Sequence, residues 1–276
     1  SGNNASGFAI VDNSTANNIV RGNYIGVGAD GTTPLGNSTF GIDLAGGSNV
    51  SGNTIGGVTA GQGNIIANNG LVGVSLNGTG TFNTPIRGNS IFANGALGID
   101  LGFNGVTAND PGDGDTGQNN LQNYPAITSA YVSGSTKAIR GTLNSTASTS
   151  GFLIDFYASA SCNAVAPNNF GEGQTYLGSV GPLSTNASGD TGTFLFNPAS
   201  LTVGQIITAT ATDANGNTSE FSQCYTVTAG TPATAGTVSL TAATYTVAEN
   251  VANAVISVTR SGPPFEGIVT ASVTVS

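Results

Sequence analysis

The sequence contains no histidine, no methionine and no tryptophan. Without histidine, the Ser–His and Cys–His nucleophile sets are excluded, and so is the commonest general base and metal ligand. There are five basic residues: Arg21, Arg87, Lys137, Arg140 and Arg260. So few cations, against a net charge of −9, exclude nucleic acid and disfavour an anionic membrane surface, because phosphate binding needs clustered Lys and Arg. Charged residues make up 7% of the chain, against roughly 25% in an average soluble domain. No apolar run approaches the ~18 residues of a membrane span. No Gly-Lys-Ser/Thr phosphate loop occurs. With no methionine, the chain reads as a piece of a longer product, whose ends leave the question of export open.

What is present points to β-structure. Apolar residues make up 38% and recur at short, regular intervals, which is unlike disorder. The 42 glycines, with many asparagines, supply left-handed backbone at turns. Cys162 and Cys224 fit one structural disulfide, which implies an oxidising compartment. Divalent cations are the natural counter-charge for so acidic a chain.

Two short patterns repeat over residues 1–124. One is Gly-Asn-x-Ile, at Gly22–Ile25, Gly52–Ile55, Gly63–Ile66 and Gly88–Ile91. The other is Gly followed by two apolar residues flanking any third, at Gly7–Ile10, Gly41–Leu44, Gly73–Leu76 and Gly98–Leu101. Repetition of this kind marks a solenoid, propeller or array. Each motif is a short strand, unstable alone, that gains partners above and below when stacked at about 4.8 Å. The spacing predicts roughly five coils, one per repeat unit. Ile25, Ile55, Ile66 and Ile91 should point inward, as should Ile42, Leu44, Val74, Leu76, Ile99 and Leu101. Asn23, Asn53, Asn64 and Asn89 should stack at one turn, satisfying their amides through the backbone and each other. Loops such as Val27–Thr39 bulge outward.

The run Ile25-Gly26 through Asp30-Gly31, with Leu35-Gly36-Asn37, Gly41-Ile42, Ile55-Gly56-Gly57 and Gly63–Ile66, resembles bacterial right-handed parallel β-helix repeat proteins. So does the exit segment Asn109–Gly117, followed by Asn119–Pro125. The resemblance covers about the first half of the chain. It implies a large extracellular protein, often carrying repeated modules downstream.

Pro125 marks a change of texture. Alternating runs at Ala138–Leu143, Phe152–Tyr157, Gln174–Val180, Gly192–Phe196, Ile206–Ala211 and Ser222–Val227 predict an antiparallel β-sandwich over 125–228. Asn215-Gly216 reads as a hairpin turn. A Cys162–Cys224 bond would close a loop of 62 residues (224 − 162), worth about 4 kcal/mol by chain entropy. Ala211–Asp213 and Gly216–Phe221 resemble the Ig-like module that often follows such β-helices. Residues 229–236 read as a linker. From 237 to 276, Val238–Leu240, Tyr245–Asn250 and Val255–Gly262 resemble the opening strands of a Calx-β domain, a calcium-binding β-sandwich, here truncated. The fold expected is therefore all-β: a right-handed parallel β-helix (solenoid), then an antiparallel β-sandwich, then a truncated β-sandwich.

Three sets of residues carry candidate chemistry. Asp110, Asp113 and Asp115, near Asn119, form an oxygen-rich exit loop suited to calcium, which takes six to eight oxygens. The loop is not an EF-hand, and solvated Asx turns that finish the β-helix are the alternative. Glu249 occupies the place where the Calx-β resemblance implies a calcium ligand, whose companions would lie in later loops. Asp43 and Asp100 share one position in two strands, with Ser75 between, about 10 Å apart over two strand steps. Arg21 and Arg87 also share a position, at a spacing of three coils near 22 residues. Inverting glycosidases need carboxyls roughly 6.5–9.5 Å apart. A lyase would need an Arg or Lys base beside calcium-binding acids. The plain reading is a polar outer face.

The function expected is that of a structural or adhesin-type module, secreted or at the cell surface. Calcium would stabilise it, and its partners would be a cell-surface glycan or protein and further modules of the same polypeptide. The alternative is a carbohydrate-active enzyme (polysaccharide lyase, epimerase or hydrolase) or a non-catalytic glycan-binding module. An acidic and basic cluster in one groove would distinguish them.

Overall fold

Short runs with apolar residues at every second place bury one face, and in the first part of the chain these faces all meet in one core. The computed structural model describes residues 1–163 and 169–230, and the strands Thr237–Leu240 and Val258–Ser261. Strands β1 (Phe8–Val11), β4 (Ile42–Ala45), β7 (Val74–Asn77) and β10 (Ile99–Leu101) form a first parallel sheet. Strands β2 (Ile19–Val20), β5 (Thr54–Gly56) and β8 (Ile86–Arg87) form a second. Strands β3 (Tyr24–Ile25), β6 (Ile65–Ala67) and β9 (Ser90–Phe92) form a third. The chain visits the three sheets in turn and returns to the first.

The predicted inward residues line up. Ile10, Leu44, Leu76 and Leu101 make one row, and Ile42, Val74 and Ile99 a second. Val20, Ile55 and Ile86 make another, and Ile25, Ile66 and Ile91 a fourth. All belong to one buried cluster. Each such side chain contributes roughly 1.5–3 kcal/mol by leaving water. Phe8 pairs with Ile42, Ile42 with Val74 and Val74 with Ile99, so successive circuits take 34, 32 and 25 residues (42 − 8, 74 − 42, 99 − 74). The first sheet holds four strands and the others three, so the expected five coils are three circuits and a fourth strand. The excess arose because Gly-Asn-x-Ile occurs at two corners of a circuit, before β5 and before β3, β6 and β9.

Two four-stranded sheets follow. One orders β15 (Phe194–Phe196), β12 (Thr136–Thr142), β11 (Ala126–Ser133) and β18 (Thr228–Ala229). The other orders β14 (Thr175–Ser184), β13 (Ser150–Ser159), β16 (Ile206–Thr212) and β17 (Tyr225–Thr226). Pairing is antiparallel except between β11 and β18. Ile139, Phe152, Ile154, Phe156, Phe194 and Ile207 share a core drawn from both sheets. Strand β11 has no counterpart among the sequence-predicted runs, because its serines and threonine leave most positions half-exposed. Ser222–Val227 shortens to Tyr225–Thr226, because the residues before it turn away to meet the parallel sheets. Cys162 and Cys224 are bonded, with Cα atoms 5.9 Å apart.

Ser1–Ala229 forms one compact unit and Gly230–Ser276 another. In the second, β19 (Thr237–Leu240) pairs antiparallel with β20 (Val258–Ser261). Among the described residues there is no α-helix and no helix able to cross a membrane.

Candidate functional site

Asparagines run in three ladders along the parallel sheets. Asn23 donates its backbone N–H and Nδ2 to Asn64 Oδ1, at 3.0 Å each. Asn64 does the same to Asn89 Oδ1, at 3.0 and 2.9 Å. Asn53 stands in a different ladder, a correction to the single stack expected. It accepts from Asn18 N and Nδ2, and Thr84 takes the next place. The separation follows from the corners: Asn53 precedes β5, whereas the other three precede β3, β6 and β9. A third ladder, Asn3–Asn37–Asn69–Asn94, was missed. Its signal was legible, since an Asn stands four residues before each of Gly7, Gly41, Gly73 and Gly98.

The ladders and strands end on residues from the second half of the unit. Glu172 Oε1 accepts from Asn94 N and Nδ2 at 3.0 and 2.8 Å, closing the third ladder. Asn119, expected beside the acidic loop, is fully buried and extends the Thr84 ladder instead. Its Oδ1 accepts from Thr84 N, and its Nδ2 donates to Thr84 O and Thr218 O. The final strand of each sheet is also met. Ile86 N donates to Thr218 Oγ1, Ile91 pairs with Gly173, and Leu101 N donates to Glu220 Oε1. Thr107 N donates to Glu220 Oε2 at 3.0 Å. Gly216, at φ +93°, allows the turn after Asp213 that sends Asn217–Ser222 toward these edges. Phe221 packs so closely that a Cβ at Gly98 would lie 2.9 Å from its ring. Burial pushes Glu172 up to about 7. Burial, with Asp100 nearby, pushes Glu220 up to about 8.

Asp110, Asp113 and Asp115 come together, each offering a carboxylate oxygen within 4.8 Å of the others, close enough for one metal ion. Asp110 Oδ1 and Asp115 Oδ1 are buried with no hydrogen-bond partner among the described residues. Asp113 accepts from Asn123 N and Ser145 Oγ. Burial and the neighbouring carboxylates push Asp113 up to about 6. Glu249 lies outside the described residues.

Asp43, Ser75 and Asp100 share one outward row. The row is not the polar outer face expected: Ser75 is 0% exposed and Asp100 3%. The segment after β10 turns back, and Asn104 and Gly105 donate to Asp100 Oδ1 and Oδ2, both at 3.2 Å. Burial raises both the Asp43 and Asp100 carboxyls. Arg21 and Arg87 belong to another sheet. Val20 pairs with Ile55 and Gly56 with Arg87, so the two arginines stand two strands apart rather than three coils. They flank a depression of about 310 Å³ over Gly56 and Gly57, with Gln62 at its wall. Arg21 Nε donates to Gly56 O, and Arg87 is paired with Asp155.

Fold and site define an all-β protein of parallel and antiparallel sheets with a disulfide and, among the described residues, one cluster of three carboxylates close enough for a metal. No family model matches the chain, and no curated protein matches it.

Proposed function

We propose that the chain is part of a secreted, cell-surface or extracellular structural protein of adhesin type. In this reading residues 1–124 wind as a right-handed parallel β-helix, 125–228 form an Ig-like sandwich that closes its end, and 237–276 begin a Calx-β domain. Calcium at Asp110, Asp113 and Asp115 would fix the crossing from the first part to the second, because hard cations favour flexible, oxygen-rich loops. The observation that carries the reading is the separation of chemical groups. The Asp43–Asp100 row and the Arg21–Arg87 row lie on different sheets, and Asp155 already pairs Arg87. An acid and a base facing one substrate would have to share a groove. Ser75 also stands between the members of the acid pair, and Asp100, 3% exposed, is closed off from a substrate in solvent. The disulfide supports an oxidising, extracellular setting. The partners proposed are a glycan or protein at a cell surface and further modules of the same polypeptide.

A non-catalytic glycan-binding role is the second reading, favoured by the depression between Arg21 and Arg87. Guanidinium groups bind carboxylated or sulfated sugars through paired N–H donors.

A panel of acidic and neutral polysaccharides, assayed with calcium and with chelator beside melting curves, tests both readings. The structural reading expects no turnover and a higher midpoint with calcium. Turnover lost in Asp43→Asn or Asp100→Asn would sink it. Acidic-glycan binding lost in Arg21→Ala would favour the second.

A further inference from the structure

Outward side chains on a parallel sheet ordinarily meet water, which supplies any partner the protein does not. The row through Ala9, Asp43, Ser75 and Asp100 departs from this toward β10: Ala9 is exposed and Asp43 half-buried, but Ser75 and Asp100 are buried. Ser75 is fully buried, and its Oγ has no hydrogen-bond partner among the described residues. Asp43 Oδ1 is buried and unpartnered as well. Register places Ser75 directly between Asp43 and Asp100, with neighbouring strands about 4.8 Å apart. The Phe103 ring meets the Phe40 ring edge-on at 4.9 Å, so the chain closes over the strand that carries Ser75.

We propose that Asp43, Ser75 and Asp100 hold a hard divalent cation of the calcium class, bound directly by Asp43 Oδ1 and Ser75 Oγ and reaching the Asp100 carboxylate through water. The donor set consists only of oxygens, which hard cations prefer, and water completes the six to eight ligands such an ion takes. Charge favours a cation over a lone water. A water could satisfy Asp43 Oδ1 and Ser75 Oγ, but it would bring no counter-charge to half-buried Asp43 or to buried Asp100, whose carboxylate is met by the Asn104 and Gly105 N–H groups. Among the described residues, no basic side chain forms a salt bridge with either of them. The cation would clamp β4, β7 and β10 along the stacking direction. This site is separate from the Asp110–Asp115 loop and does not depend on calcium there.

The test uses the full chain carrying Asp113→Asn and Asp115→Asn, which silence the exit loop. Bound calcium is counted by equilibrium dialysis and native mass spectrometry, with circular dichroism as the check on folding. One ion per chain is expected in this background. Adding Ser75→Ala should weaken its binding about tenfold, and adding Asp43→Asn should remove it at the same calcium concentration. A folded, loop-silenced chain that retains no ion would overturn the proposal. Retention at equal affinity after Asp43→Asn would do the same. A crystal grown with calcium should give an anomalous peak between Asp43 and Ser75, and ordinary water density there would refute the site.

Discussion

Arg87 on β8 and Asp155 on β13 form a two-pronged ion pair, with Nε and Nη2 each 2.7 Å from a carboxylate oxygen. The pair joins the parallel sheets to the antiparallel ones. The Asp155 side chain is 0% exposed and that of Arg87 18%. Burial pushes the Asp155 carboxyl upward, and Arg87 opposes it. Replacing one partner strands the other. Arg87→Ala should therefore destabilise by roughly 3–5 kcal/mol, whereas Arg87→Met with Asp155→Leu should cost far less. Urea unfolding of the three proteins checks this; equal losses in the single and double variants would contradict it.

The asparagine ladders should be graded by depth. Asn64→Leu leaves Asn23 N and Val20 O without partners, at a cost of roughly 1–3 kcal/mol. Asn23 is exposed and sits at the open end of its ladder, so Asn23→Leu should cost less. Thermal midpoints give the order, and similar shifts in both variants would count against a buried ladder.

Acidity should favour the fold. A carboxyl with a higher pKa in the folded chain than in the unfolded one binds its proton more tightly when folded. Its contribution is complete below the unfolded value and is lost as pH rises through the folded one. Glu172 moves from 4.5 to about 7. Stability should therefore fall between about pH 4.5 and 7, by an amount on the order of 3 kcal/mol from this group. Glu172→Gln keeps the acceptor for Asn94 without the charge, so it should flatten the slope and raise stability at pH 8. Melting curves from pH 5 to 8 would show this, and an unchanged slope in the variant would remove Glu172 as its source.

Reduction of Cys162–Cys224 should cost about 4 kcal/mol, the chain-entropy value for a loop of this length. Unfolding with and without reductant measures the loss. Coincident curves would place the benefit of the bond outside stability.

The rows of Ile42, Leu44, Val74 and Leu76 were legible because strand alternation depends only on neighbours in sequence. The disulfide was legible because two cysteines permit one pairing. The placement of Asn53 was not, since Gly-Asn-x-Ile specifies the shape of a corner and not which corner. Asp100 looked exposed because nothing local announces that Asn104 and Gly105 will fold back onto it. Glu172 carried no signal, and Glu220 stood in a run read only for its Ig-like resemblance. Their partners, Asn94 and Leu101, lie 78 and 119 residues away, and only the assembled unit brings them together.

The unequal circuits have a practical corollary. Strand partners hold their alignment whether 34 or 25 residues separate them (42 − 8, 99 − 74). Length is absorbed at the corners, as in a spiral stair whose landings differ while its treads stay level. Such a chain can be re-cut at its corners, by insertion at the exposed Thr32–Thr33 tip for example, and the treads above and below would not feel the change.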